Sequence, residues 1–197
     1  MKWIDVFNPN DPSVVTLTTA TTGLSPEHDE IIAVRMNGVS MYRQNVEADK
    51  LLASQEYHKI DAQRLMQYGV PDEDFKEALN NLLGNKIVVS YNPSFQVSFL
   101  EPFMEDIPVI WDVVSLYKGA KSGICVEECD DVLDYLAALQ KLATGRKGFK
   151  AFCEALGLTA VDPALLPLEN AERDVRTILN LMAEFQANIQ SRMSLSH

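Results

Sequence analysis

The sequence predicts one α/β domain built on a mixed sheet flanked by helices, and three observations carry that expectation. Val14 to Val34 reads as a strand, a sharp turn and a second strand, because an apolar, β-branched run is broken at Gly23 and Ser25-Pro26 before Ile31. Asn37-Gly38 is a type I′ hairpin signal that folds a third strand back on the second. Lys86 to Ser90, an apolar helical stretch and Pro108 to Trp111 then form a strand, helix, strand unit, whose crossover is right-handed and whose strands pair in parallel. An antiparallel three-strand meander extended by parallel strands is the expected architecture.

Taken in order, residues 1–13 read as a surface lead-in, since Asn8-Pro9-Asn10-Asp11-Pro12 breaks regular structure. The domain itself is read as residues 14–190. Val14 to Thr22 is the first strand, Ile31 to Met36 the second and Val39 to Val46 the third. Ala48 to Glu56 turns polar, and Asp61 is placed to cap a short helix that runs through Gln67 and ends at Gly69 and Pro71. Asp72 is read as the cap of a further helix in which Phe75, Ala78, Leu79, Leu82 and Leu83 recur at helical spacing until Gly84 stops the pattern. The run KIVVS at 86–90 is short and β-branched enough to be a buried strand. Asn92-Pro93-Ser94 is a turn and cap, and Phe95, Val97, Phe99, Leu100 and Phe103 suit a helix laid on the sheet. Four helices are expected after Trp111, at Val113 to Tyr117, Glu127 to Ala143, Phe149 to Leu156, and Ala171 to about Ile189. Residues 191–197 are polar and expected to fray.

At 197 residues and 47% hydrophobic content the chain can bury one core. No stretch reaches transmembrane length, and Met1 to Asn8 has neither a basic start nor an apolar signal core, so the expected setting is cytoplasmic with no membrane partner. Cys125, Cys129 and Cys153 are odd in number and lack a Cys-His cluster, which favours thiols packed as small hydrophobes over a disulfide or a metal pair. The formal net charge of −11 opposes non-specific capture of phosphate backbones. Five acids within Glu127 to Asp134 precede the basic Lys141, Arg146, Lys147 and Lys150, an order that suits a solvated helix and its dipole and leaves an acidic docking face for a protein partner as the other reading.

Three separated segments share the frame of one known family. Thr18-Thr19-Ala20-Thr21-Thr22-Gly23-Leu24 matches a strand motif that reads Asp-x-Glu-Thr-Thr-Gly-Leu, with a complete tail and neither acid. Tyr57-His58-Lys59-Ile60 looks like the His-Gly-Ile segment that follows it. Ile87 to Leu100 keeps Asn92, Phe95, Phe99 and Leu100 of the second motif but has Gln96 at its aspartate position. Glu169-Asn170-Ala171-Glu172-Arg173-Asp174 fits His-x-Ala-x-x-Asp with Glu169 replacing the histidine, and Asp174 alone is conventional. In order and spacing these segments resemble the DEDD family of 3′–5′ exonucleases, which includes the proofreading subunit of bacterial DNA polymerase III. The resemblance covers roughly residues 14–182. It implies a ribonuclease H-like fold and marks residues 118–148 as a helical insertion longer than the family's usual path.

In that family four carboxylates hold two divalent ions and the histidine acts as general base. Mg²⁺ needs anionic oxygen ligands to offset its dehydration, and here the equivalent positions are Thr18, Ala20, Gln96 and Asp174. The resemblance therefore marks Thr18, Ala20, Gln96, Glu169 and Asp174 as vestigial positions. It implies that Thr21, Thr22, Gly23, Leu24, His58 and Asn92 contact a nucleotide or single-stranded end. The hydroxyl row Thr16, Thr18, Thr19, Thr21 and Thr22 is read either as good strand chemistry or as an uncharged cleft. His28 lies in a turn and His197 is terminal, and neither has a partner acid at a catalytic spacing. The expected function is an exonuclease-fold protein without metal-dependent nuclease activity that binds nucleic acid or a protein, with no cofactor. The alternative is an active 3′–5′ exonuclease on single-stranded DNA or RNA ends that uses Mg²⁺ or Mn²⁺ on an altered set drawn from Asp112, Glu169 and Asp174.

Overall fold

The computed structural model describes residues 7–122, 146–158 and 160–194. Among these residues six strands form one sheet in the order β4-β3-β2-β1-β5-β6, with β1 at Val14–Thr21, β2 at Ile31–Met36, β3 at Val39–Arg43, β4 at Gly69–Val70, β5 at Ile87–Ser90 and β6 at Ile110–Asp112. β1 pairs antiparallel with β2, and β2 with β3, while β5 joins β1 and β6 joins β5 in parallel. This is the mixed sheet expected from the sequence, an antiparallel meander extended by parallel strands. Asn37 at φ 44° and Gly38 at φ 86° make the tight turn between β2 and β3, both left-handed as a type I′ turn demands.

The helices are α1 (Ala48–His58), α2 (Ala62–Tyr68), α3 (Asp72–Leu83), α4 (Pro93–Leu100), α5 (Val113–Ser122), α6 (Arg146–Ala155) and α7 (Pro167–Ser194), with a 3₁₀ turn at Glu101–Phe103. Strand alternation divides them between the two faces of the sheet. Val15 and Leu17 of β1 pack with Phe75 and Leu79 of α3 and Phe99 of α4. On the other face Val113, Leu116 and Tyr117 of α5, Phe149 and Cys153 of α6, and Val175, Ile178 and Met182 of α7 form a second cluster. A third, at the end of β1, joins Ala20 to Leu51 of α1, Leu65 of α2 and Leu168 of α7.

Several expectations need correction. Phe7, within the supposed surface lead-in, is only 1% exposed and packs on Trp111 with ring centroids 5.7 Å apart. Ala48–His58 is a helix rather than merely polar chain, and its inward stripe at Leu51, Ser54 and His58 has helical spacing but only one aliphatic member. β3 stops at Arg43 rather than Val46, where Gln44 N donates to Val70 O and the chain turns toward α1. The two-residue β4, which pairs in parallel with β3, is too short to leave a sequence pattern. α5 runs through Ser122, past the expected end at Tyr117. α7 starts at Pro167, four residues before the expected Ala171, because proline suits the first helical position, and it extends to Ser194. Asp61 caps α2 as expected, accepting from Arg64 N at 2.8 Å. The helix Glu127 to Ala143, its acidic face, Cys125, Cys129, most of the 118–148 insertion and residues 195–197 lie outside the described residues. Cys153 is buried, and burial pushes its thiol up to about 11, so it stays protonated at neutral pH.

Candidate functional site

A cavity of about 450 Å³ opens at the C-terminal ends of the neighbouring parallel strands β1 and β5, the edge at which open parallel sheets place their ligands. Its walls come from the end of β1 (Thr19, Ala20, Thr21), the turn after it (Gly23, Leu24), the end of α1 (Tyr57, His58), the chain leaving β5 (Tyr91, Asn92, Phe95) and the first turns of α7 (Pro167, Leu168, Ala171). Among the described residues no aspartate, glutamate, lysine or arginine lines it.

Of the residues expected to bind, Thr21, Gly23, Leu24, His58 and Asn92 face this cavity together. Thr22 does not, since its hydroxyl accepts from Glu30 N at 2.8 Å and closes the β1–β2 connection. Gly23 leaves room for the Asp29 carboxylate, which a Cβ there would strike and which accepts from Ser25 N at 2.9 Å. Leu24 is 66% and Tyr57 69% exposed, so two large apolar surfaces stand at the mouth.

His58 is enclosed, at 4% exposure, rather than lying on the surface. Its Nδ1 accepts from Ile60 N at 3.0 Å, which places the proton of the neutral ring on Nε2, 3.1 Å from Ser54 Oγ. Ser54 Oγ in turn donates to Lys50 O at 2.6 Å. Burial holds the His58 pKa below its ordinary value, a backbone hydrogen bond opposing and Lys59 adding to the shift. Both ring nitrogens are thus used internally, and His58 offers the cavity ring surface rather than a base. Lys59, at the glycine position of the His-Gly-Ile frame, ends α1 in the left-handed conformation at φ 59°, ψ 21°.

The positions marked as vestigial diverge. Thr16 and Thr18 point from β1 toward α7, as period-2 alternation requires. Thr18 Oγ1 donates to Leu168 O at 3.0 Å, and Thr16 Oγ1 bonds the buried Glu172 carboxylate. Thr19, on the opposite face, donates to Gln96 Oε1 at 2.8 Å, and Gln96 is wholly buried with its Nε2 3.4 Å from Tyr91 O. Ala20 reaches the cavity with a methyl group alone. Glu169 turns away: Arg35 NH1 lies 3.1 Å from its Oε1, and Leu166 N donates to its Oε2 at 2.8 Å. It therefore sits inside the first turn of α7, not before the helix as expected. Asp174 pairs with Arg173 at 3.0 Å and does not line the cavity. Asp112 caps α5 by accepting from Ser115 N at 2.9 Å and Ser115 Oγ at 2.7 Å, and it also accepts from Asn92 N at 3.3 Å.

A two-ion site does not fit these donors. Ala20 has no ligand atom, the Thr18 hydroxyl is engaged as a donor, and the Gln96 carbonyl already accepts from Thr19. Among the described residues no three histidine, cysteine, aspartate or glutamate side chains converge on a point that would hold a metal ion. Nor is any helix among them long and apolar enough to cross a membrane.

Tyr91, Phe95, Pro167 and Leu168 were not singled out as binding residues. Tyr91 and Phe95 could have been found from their place just past a buried parallel strand, whereas Pro167 and Leu168 carry no signal beyond the proline that opens α7. Tyr91 is held by Phe149 of α6, stacked at 4.4 Å and 7°.

No family model matches the sequence, and no curated protein matches it. Among solved structures the chain is similar to Brucella melitensis NrnC bound to pGG, with 15% identity, 98% of this chain and 80% of that chain covered, and a TM-score of 0.44. It is also similar to Brucella melitensis NrnC at 15% identity, with 95% and 80% covered and a TM-score of 0.43.

Proposed function

We propose that this chain is an exonuclease-fold protein without metal-dependent nuclease activity, and that its cavity is a binding site for a nucleotide or the end of a single-stranded nucleic acid. The observation that supports this reading is the coincidence of place and charge. The cavity lies where the first and second motif frames meet, yet no carboxylate of the described residues lines it. Hydrolysis of a phosphodiester by hard cations needs carboxylates at the scissile bond. Stacking on aromatic and apolar side chains does not, and it tolerates different bases because every base has a π-face.

The alternative enzyme, with metal held by Asp112, Glu169 and Asp174, is disfavoured by the partners these acids already have. Asp112 is a helix cap, Glu169 is paired with Arg35, and Asp174 is paired with Arg173. A labelled single strand incubated with the protein and Mg²⁺ or Mn²⁺ distinguishes the two. The expected result is no cleavage, together with binding of the strand at low salt by fluorescence anisotropy. Cleavage that disappears in Asp174→Ala establishes the enzyme instead. If no strand binds even at low salt, the nucleic-acid reading fails and a protein partner takes its place.

A further inference from the structure

We infer that the cavity recognises an uncharged nucleoside or nucleobase through its heterocycle, with the Asn92 carboxamide as the specificity-determining group, and that phosphate contributes nothing to the affinity. This rests on reading the cavity as a nucleotide-binding site and says which part of the nucleotide it reads.

The first ground is electrostatic. A phosphate group bound in a cleft is normally met by lysine, arginine, a metal ion or free helix N-terminal amides. Among the described residues neither of the first two lines this cavity. Two helices, α4 and α7, do begin at its wall, but each begins with a proline, which has no N–H to offer. The next free donors are few: Phe95 N and Gln96 N both bond Asn92 O, and Glu169 N and Asn170 N both bond Leu166 O. The first turn of α7 also carries the Glu169 carboxylate. With a net charge of −11 over the chain, an anion approaching this site is opposed rather than attracted.

The second ground is a side chain left for polar recognition, that of Asn92. The hydroxyls of Thr19 and Thr21 donate to Gln96 Oε1 and Gly23 O, and both nitrogens of His58 are engaged. The Asn92 carboxamide makes no cap hydrogen bond to α4, whereas its backbone is tied down, the N–H donating to Asp112 and the carbonyl accepting from Phe95 N and Gln96 N. Asn92 is also held left-handed at φ 51°, ψ 61°, so the backbone places this side chain in a conformation that few residues other than asparagine and glycine accept. A carboxamide presents a donor beside an acceptor, the pattern that pairs bidentately with the N6 and N7 edge of adenine. Tyr57, exposed at the mouth, supplies a stacking face.

Isothermal titration of the full chain with adenosine and with adenosine monophosphate, without added metal, tests the inference. Adenosine is expected to bind at least as tightly as the monophosphate, and raising the salt concentration is expected to leave adenosine affinity unchanged. Asn92→Ala is expected to weaken adenosine about 5-fold to 100-fold, in line with the loss of a bidentate pair. Because Asn92 sits at a left-handed position, Asn92→Gly serves as the second variant, removing the carboxamide without backbone strain. Tyr57→Ala, at an exposed site that leaves the fold intact, is expected to cost a similar factor. A monophosphate that binds tenfold or more tightly than adenosine overturns the inference and leaves the proposed function standing, as does a single strand that binds while adenosine does not. Unchanged adenosine affinity in both Asn92 variants overturns the role of Asn92. If neither compound nor a single strand binds, the proposed function falls with it.

Discussion

Thr18 Oγ1 donates a hydrogen bond to the carbonyl of Leu168, 3.0 Å away and 150 residues later in the chain. It ties the middle of the central strand to the first turn of α7. A hydroxyl can form this bond and an ionised carboxylate cannot, since the bond needs a donor. The side chain at the first motif position is therefore a fastening between sheet and helix, and reintroducing an acid there sets two oxygens against each other.

Thr18→Val is expected to lower stability by about 1–3 kcal/mol, the cost of leaving the buried Leu168 carbonyl without its donor. In a chain of this length that is a fall of about 2–12 °C in Tm. Thr18→Asp is expected to be worse at neutral pH and to recover partly in acid, where the protonated carboxyl can donate again. Thermal unfolding followed by circular dichroism at two pH values reads both. A Tm for Thr18→Val equal to that of the unaltered chain means that the bond carries no net stability.

Gln96 is wholly buried, accepting from Thr19 and donating toward Tyr91 O. Gln96→Glu keeps the shape but buries a charge and turns the donor facing Tyr91 O into an acceptor. Burial raises the pKa of the new carboxyl in the folded state above its unfolded value. The folded state then binds more protons between those two values, so the variant gains stability as the pH falls through that window and loses it as the pH rises. The difference in denaturation midpoint between Gln96→Glu and the unaltered chain is expected to shrink from pH 8 to pH 5. A difference independent of pH would show that this side chain is not enclosed as described.

His58 contributes the opposite dependence. Burial first, and Lys59 next, hold its folded-state pKa below the ordinary 6.5. Below 6.5 the unfolded chain takes up a proton that the folded chain resists, so stability declines as the pH falls through that value. His58→Gln is expected to remove this part of the acid sensitivity, as seen by urea denaturation at pH 7.5 and pH 5.5. An unaltered slope between those pH values in the variant assigns the sensitivity to other groups.

Lys59 closes α1 in a left-handed conformation that a side chain with a Cβ adopts at a cost. Lys59→Gly is expected to stabilise the chain by about 0.5–1 kcal/mol, the relief of strain being partly offset by the greater freedom of glycine in the unfolded state. Urea denaturation reads this as a raised midpoint with an unchanged slope. A lowered midpoint would mean that the lysine stem packs more favourably than its backbone is strained.

The meander, the crossover and the limits of α2 and α3 were legible in the sequence because they rest on local physics. The β-branched run in Val14 to Thr21, the left-handed pair at Asn37-Gly38, the cap at Asp61 and the apolar spacing of α3 act over a few residues and need no partner to be read. The buried stripe of α1 was not legible, since Ser54 and His58 look polar until the chain folds and each finds its hydrogen bonds inside. Tertiary structure alone decided where the polar side chains are spent. Six residues along the same helix from Leu168, Asp174 is taken by Arg173, while Glu169 turns to Arg35, so two acids near in sequence never meet. The sequence by itself determined a mixed sheet and the absence of acid at positions 18, 20 and 96. The partners of Thr18, Gln96 and Glu169 emerged only on folding, because a hydrogen bond is set by distance and direction in space, and those depend on elements more than 70 residues apart.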